Sequence, residues 1–260
     1  MRPKIPSLFL GVALQLAGLI WAAPPQNNAP LIGIQLDELP QTFWDEFPSS
    51  EYISYTAIIE FDPQKTNVKC GGISDGELMN LAMYAFDQMH DLAAVYNLKR
   101  PNAMAALVHQ DQIYFASSVR TDWHPERLIS IDKEYGAEGS VGKYIEDCLL
   151  SEDWETINHG TGGLCAEPNV IRLLHQHKKS FIKPISGNRI IVVGTNRDTT
   201  DFKEAKDPCP SFKGKIGCRD SFKTEYGLNF VKPVWREADP RVFDFSKVMN
   251  PRRARPVQRY

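Results

Sequence analysis

The fold prediction starts from AMAALVHQDQIYFASSVR, residues Ala103–Arg120. Two runs rich in apolar, β-branched and aromatic residues flank the polar pair Gln110 and Asp111, and this pattern predicts a β-hairpin that turns at the pair. His109 lies beside the turn and is therefore expected at the protein surface. A hairpin in the middle of the chain indicates a domain that contains a β-sheet.

A helix and a strand are predicted before the hairpin. Ser74 followed by Glu77 is the pattern of a capping box at a helix start. Apolar residues then recur at helical spacing to about Leu98, and Pro101 is expected to stop the helix. Upstream, YISYTAIIEF (Tyr52–Phe61) alternates and is rich in β-branched and aromatic residues, which predicts a strand.

Another helix and two further strands are predicted after the hairpin. An apolar-periodic run predicts a helix from about Ala166 to His177, on which His175 and His177 are expected to face solvent. NRIIVVGTN (Asn188–Asn196) has the continuous apolar centre of a buried strand, and GLNFVKPVW (Gly227–Trp235) is the last candidate strand. Strands that alternate with helices predict an α/β fold in which helices flank a sheet.

Residues 1–23 have the order of a secretory signal peptide. Basic residues come first, then the apolar run Leu8–Ile20, then small residues where cleavage is expected. No later apolar run is long enough to cross a membrane. The mature protein is therefore expected to be secreted and extracellular, with no integral membrane association.

The mature chain is predicted to contain one domain with peripheral ends. Residues 24–70 form an irregular lead-in with one candidate strand, residues 71–235 form the domain, and residues 236–260 form a basic tail. The tail ends in NPRRARPVQRY, which carries arginines and no acid, and it is expected to be solvated. The formal net charge of -2 gives no argument for a nucleic-acid or anionic-membrane partner.

The five cysteines are an odd number, so at least one is unpaired or has another role. They are Cys70, Cys148, Cys165, Cys209 and Cys218. In one arrangement, which export allows, Cys70 pairs with Cys148 and Cys209 pairs with Cys218. In the other, Cys70 and Cys148 pair, and the remaining three cysteines bind one metal ion.

The segment GTGGLCAEPNVIRLL (Gly160–Leu174) combines a thiol and a carboxylate at the start of a predicted helix. A helix N-terminus favours Cys165 as a thiolate, which is the form that binds metals. Three protein ligands with an open fourth position describe a catalytic zinc, and the metal-binding arrangement of Cys165, Cys209 and Cys218 would supply three such ligands. Glu167, two residues past Cys165, would take a proton from the water that the zinc activates.

This combination resembles the zinc-dependent cytidine deaminase-like superfamily. The family pattern is His or Cys, any residue and Glu on a helix, followed later by Pro-Cys-x-x-Cys. The resemblance spans about Ser74–Trp235 and implies a three-layer α/β/α sheet with flanking helices. It implies that Cys165, Cys209 and Cys218 are the zinc ligands. Glu167 would be the catalytic proton shuttle.

The same resemblance implies hydrolytic deamination of a nucleobase, a nucleoside or a nucleic acid. The predicted export signal makes the chain resemble toxin or effector deaminases more than nucleoside-salvage enzymes. Family members that act on nucleosides often hold the sugar with an asparagine after the hairpin. This chain has Ser117 and Ser118 at about that place.

The chain departs from the family pattern at its last two cysteines, which are nine positions apart instead of three. Prolines and glycines around them indicate a loop, which would return Cys218 to a metal or close a disulfide with Cys209. Two alternative functions therefore remain open. One is a non-catalytic, disulfide-bonded secreted interaction protein on the same fold. The other is a Cys-dependent hydrolase that uses Cys165 and His159 as nucleophile and base.

Overall fold

The computed structural model describes residues 32–37, 52–61, 73–121, 165–178, 188–196, 199–205 and 228–231. The described helices are α1 (Asp75–Val95) and α2 (Ala166–Lys178). The described strands are β1 (Gln35–Leu36), β2 (Tyr52–Ile53), β3 (Tyr55–Glu60), β4 (Ala103–His109), β5 (Gln112–Ser117), β6 (Arg120–Thr121), β7 (Arg189–Asn196), β8 (Thr199–Ala205) and β9 (Asn229–Phe230). All of these elements belong to the unit Leu31–Tyr260. The predicted signal peptide (1–23) and basic tail (236–260) lie outside the described residues.

Seven of the strands form one mixed sheet, which confirms the α/β class. The strand order is β1-β3-β5-β4-β7-β8, and β9 also pairs with β7. Neighbours along this order are antiparallel, whereas β9 runs parallel to β7. Strands β2 and β6 form a separate antiparallel pair. No helix in the described part of the chain is long and apolar enough to span a membrane.

The predicted hairpin is confirmed as β4 and β5. His109 pairs with Gln112, so Gln110 and Asp111 form a two-residue turn, as the polar pair predicts. Gln110 has a φ of 54°, in the left-handed region that tight hairpin turns require of a residue at this place. The hairpin then places β4 between β5 and β7 near the centre of the sheet.

Both faces of the central strands are buried. Along β4, Met104, Ala106 and Val108 belong to one apolar cluster, whereas Ala105 and Leu107 belong to a second one. Strand β7 alternates in the same way, which explains why its sequence is apolar at consecutive positions. The buried apolar side chains of α1 lie in the first cluster, and Ala166, Val170, Ile171, Leu173 and Leu174 of α2 lie in the second.

Helix α1 begins at the predicted capping box. The Ser74 hydroxyl accepts a hydrogen bond from the Glu77 amide at 3.2 Å, and the Ser74 amide donates to the Glu77 carboxylate at 2.8 Å. The helix ends at Val95, three residues before the predicted end at Leu98. Asn97 has a φ of 54°, and the amides of Asn97 and Leu98 turn back to carbonyl groups of the last helical turn. This Schellman-type ending, and not Pro101, terminates the helix.

The lead-in contributes more regular structure than the single strand predicted for it. The stretch Tyr52–Phe61 is divided at Ser54 into β2 and β3, and β1 precedes them. Strand β1 pairs with β3 in the main sheet, and the Ile32 amide donates to Gln88 of α1 at 3.0 Å. Strands β1 and β3 of the lead-in therefore belong to the main sheet, and Ile32 bonds to the helix α1.

Candidate active site

Helix α2 is buried on every side over most of its length. Each residue from Ala166 to His175 is buried. A helix on a protein surface normally keeps one polar face in water, so polar side chains in a fully covered helix need partners within the protein. Four such side chains occur in this stretch: Glu167, Asn169, Arg172 and His175.

Cys165 and Glu167 lie together at the N-terminal end of α2. Cys165 directly precedes the helix, is half-buried, and packs at the edge of the apolar cluster that α2 shares with the sheet. Glu167 lies in the first helical turn with 5% of its surface exposed. The dipole of a helix and the amides of its first turn favour negative charge at its N-terminus, which suits both a thiolate and a carboxylate.

The other predicted site residues lie outside the described residues. These are the proposed ligands Cys209 and Cys218, the candidate disulfide Cys70–Cys148, and His159 of the hydrolase alternative. Among the residues that are described, no group of three His, Cys, Asp or Glu side chains is arranged to hold a metal ion. The described part of the predicted site is therefore Cys165 with Glu167.

A buried hydrogen-bond network adjoins this end of α2 and was not predicted from the sequence. The side-chain amide of Asn169 donates to the Ser54 hydroxyl at 2.7 Å and to the Ser117 carbonyl at 2.8 Å. Its oxygen accepts two hydrogen bonds from the Arg172 guanidinium, at 3.0 and 2.7 Å. The guanidinium also pairs with Asp37 at 2.9 Å, and both side chains are largely buried.

The two serines at the end of β5 are engaged with the backbone. The Ser117 hydroxyl accepts from the Tyr55 amide and donates to the Ser118 carbonyl, both at 2.9 Å. The Ser118 hydroxyl accepts from the amides of Asn102 and Ala103 at 3.2 and 3.3 Å. These hydroxyls hold the end of β5 to its neighbours in the structure.

The prediction that His109 lies at the surface is wrong. Only 5% of this residue is exposed, because it follows Ala105 and Leu107 on the face of β4 that packs towards α2. The Asn188 side chain lies 3.0 Å from its Nδ1, whereas Nε2 has no hydrogen-bond partner in the described structure. Burial lowers the pKa of His109, and the nearby charge of Lys178 acts in the same direction.

The prediction for the two histidines of α2 is confirmed for His177 and wrong for His175. His177 is exposed, with its ring 5.7 Å from that of Tyr114. His175 is 4% exposed, and burial lowers its pKa to about 4. The sequence suggested an outward face for this helix, but α2 is covered on all sides as far as His175.

No family model, no curated protein and no solved structure matches the chain. A functional proposal therefore depends on the chemistry of Cys165 and Glu167 and on the packing around them.

Proposed function

We propose that the protein is a secreted, zinc-dependent hydrolytic deaminase that acts on a nucleobase-containing substrate, of the toxin or effector type. The observation that carries this proposal is the position of Glu167. Glu167 is almost fully buried in the first turn of α2, two positions after Cys165 in the chain. A buried acid two positions after a cysteine at a helix N-terminus is the arrangement expected of the CAE motif in this superfamily.

The donor chemistry at this end of α2 fits zinc. A half-buried thiol at a helix N-terminus is favoured as the thiolate that zinc binds. In this proposal Cys209 and Cys218 supply the second and third ligands, which leaves one position open. A bound zinc supplies Lewis-acid chemistry and brings the pKa of water towards neutrality.

Glu167 handles the protons of the proposed reaction. Its carboxylate takes a proton from the attacking water, whose oxygen forms a bond with the ring carbon, and gives that proton to the ring nitrogen. Glu167 then carries the remaining proton of the added hydroxyl to the exocyclic nitrogen, so that the carbon–nitrogen bond breaks, a carbonyl forms on the ring and ammonia leaves. Because Glu167 is shielded from bulk water, its protons are exchanged with the substrate and not with the solvent.

The order of helices and strands along the chain supports the same proposal. The helix that begins after Cys165 is preceded by the β4–β5 hairpin and followed by β7, which is the order expected for this superfamily. The proposed three-layer α/β/α arrangement is supported by the two apolar clusters, one containing α1 and the other containing α2.

Glu167→Gln tests the proposed role because it keeps the shape of the side chain and removes its ability to accept a proton. We expect this variant to bind zinc as the wild type does and to lose turnover by about 100- to 10,000-fold. Ammonia release would be measured on aminated nucleobases, nucleosides, and single-stranded DNA and RNA. The control is Glu77→Gln, which changes a carboxylate of α1 and should keep turnover. Turnover retained in Glu167→Gln would exclude this role for Glu167.

Thiol counting in the denatured protein separates the deaminase from the disulfide-bonded interaction protein. The metal site predicts three thiols, from Cys165, Cys209 and Cys218, and one disulfide. The interaction protein predicts a single thiol, because four of the five cysteines would be paired. Inactivation by a thiol alkylator in the absence of zinc would instead indicate the Cys-dependent hydrolase.

A further inference from the structure

The side-chain amide of Asn169 uses its whole hydrogen-bonding capacity inside the protein. An amide side chain has two N–H donors and two acceptor sites on its oxygen. Asn169 gives its donors to Ser54 and Ser117 and accepts two hydrogen bonds from Arg172. Because a guanidinium only donates and a carbonyl only accepts, the amide is held in one orientation.

The network joins α2 to three other parts of the chain. Ser117 is the last residue of β5, Ser54 separates β2 from β3, and Asp37 directly follows β1. Asn169 and Arg172 lie one turn apart on α2, so these contacts hold the first two turns of the helix on one side. The position of the helix start is therefore fixed against the edge of the sheet that contains β1, β3 and β5.

Stability alone does not require such a network. Well-packed apolar side chains usually stabilise a protein core at least as much as a buried ion pair does. A polar network in which every group is hydrogen-bonded also fixes a unique geometry. Asn169 and Arg172 lie within the first two turns of α2, and Cys165 directly precedes its first residue, Ala166. The network therefore holds the helical turns that directly follow Cys165, and Glu167 lies in the first of them.

We propose that Asn169 is a positioning residue for the candidate active site. Its amide locks the first turn of α2 to Ser117 and Ser54, and the Arg172–Asp37 pair orients the amide. The network thereby holds Cys165 and Glu167 in a fixed relation to the end of β5. This inference rests on the proposed zinc-dependent function, because Asn169 serves an active site only if Cys165 and Glu167 form one. The effect of Asn169 on the position of Cys165 can be measured without metal.

The test compares Asn169→Ala with Asn188→Ala in the full chain. Asn188 is a matched control, because it is also a buried asparagine that bonds to a side chain, here His109, and it lies outside the Asn169 network. Both variants would be studied where denaturation curves show that they are fully folded. The first readout is the alkylation rate of Cys165 by iodoacetamide in metal-free protein, followed by mass spectrometry of the peptide that contains Cys165. The second is zinc affinity, measured by competition with a chromophoric chelator.

We expect Asn169→Ala to increase the alkylation rate of Cys165 several-fold, because the helix start is no longer held. Zinc affinity should fall by about 10- to 100-fold, as for other residues that support metal ligands. Asn188→Ala should leave both values close to those of the wild type. Equal values in the two variants would overturn the proposal and make Asn169 a residue of general stability. The alkylation rate is measured in metal-free protein, so it tests the positioning role of Asn169 even if the wild type binds no zinc. Absence of zinc from the wild type would count against the proposed function and not against the positioning role.

Discussion

His175 makes the stability of the protein depend on pH. Its ring is 4% exposed, and burial lowers its pKa from 6.5 to about 4. The unfolded chain binds a proton at this ring near pH 6.5, whereas the folded protein does so only near pH 4. The stability that comes from the neutral ring is therefore present above pH 6.5 and is lost as the pH falls towards 4.

The size of the effect follows from the pKa shift. A change of the pKa from 6.5 to about 4 lowers the free energy of unfolding by about 3 kcal/mol once the ring is protonated in both the folded and the unfolded protein. Between pH 7 and pH 5 the free energy of unfolding falls by about 2 kcal/mol. His175→Gln removes the titrating group while keeping a polar side chain. Other titrating groups contribute equally to the wild type and the variant, so the difference between the two isolates His175.

Urea denaturation at pH 7, 6 and 5 measures this difference. Over this pH range we expect the free energy of unfolding of the wild type to fall by about 2 kcal/mol more than that of His175→Gln. His177→Gln is the control. His177 lies on the same helix and is exposed, so although burial of its ring lowers its pKa, the shift is smaller than for His175 and the substitution should change the pH dependence much less. Parallel stability curves for the wild type and His175→Gln would refute the assignment of a neutral, buried His175.

Two further substitutions test the described packing. Ser74→Ala removes the side-chain acceptor of the α1 capping box and should lower the free energy of unfolding by about 1 kcal/mol, as measured by urea denaturation, whereas Ser74→Thr should retain most of it. Asp37→Ala removes a largely buried carboxylate that pairs with Arg172 and should lower the free energy of unfolding by about 3 kcal/mol or more. Asp75→Ala breaks the exposed pair with Arg189 and should lower it by about 1 kcal/mol or less. Equal costs for the two aspartates in the same assay would contradict the burial of the Arg172–Asp37 pair.

The elements that depend on local sequence were predictable. The polar pair at the tip of the hairpin, the Ser74–Glu77 capping box and the continuous apolar centre of β7 each contain their own signal. The end of α1 was placed too late because a left-handed Asn97 stops a helix without a proline or glycine. Strand β8, with the polar sequence TTDFKEA, has neither the alternation nor the apolar run by which strands are recognised.

The network at the start of α2 was not predictable in the same way. Arg172 and Asp37 are 135 positions apart in the chain, and Asn169 and Ser54 are 115 positions apart. Only the folded sheet brings them together. The sequence signal that was present is an arginine within the apolar run VIRLL of a helix, which indicates a buried charge that needs a partner. His109 and His175 were misplaced for a related reason, because their burial depends on packing between α2 and the sheet.

Elemental mass spectrometry of the purified mature protein, compared with a Cys165→Ser variant, tests the central claim most directly. The protein would be exported under native conditions and analysed without added metal. A zinc-dependent deaminase site at the start of α2 predicts about one zinc per chain, lost in the variant. Exported wild-type protein without zinc would contradict the claim, because Glu167 would then have no activated water from which to take a proton.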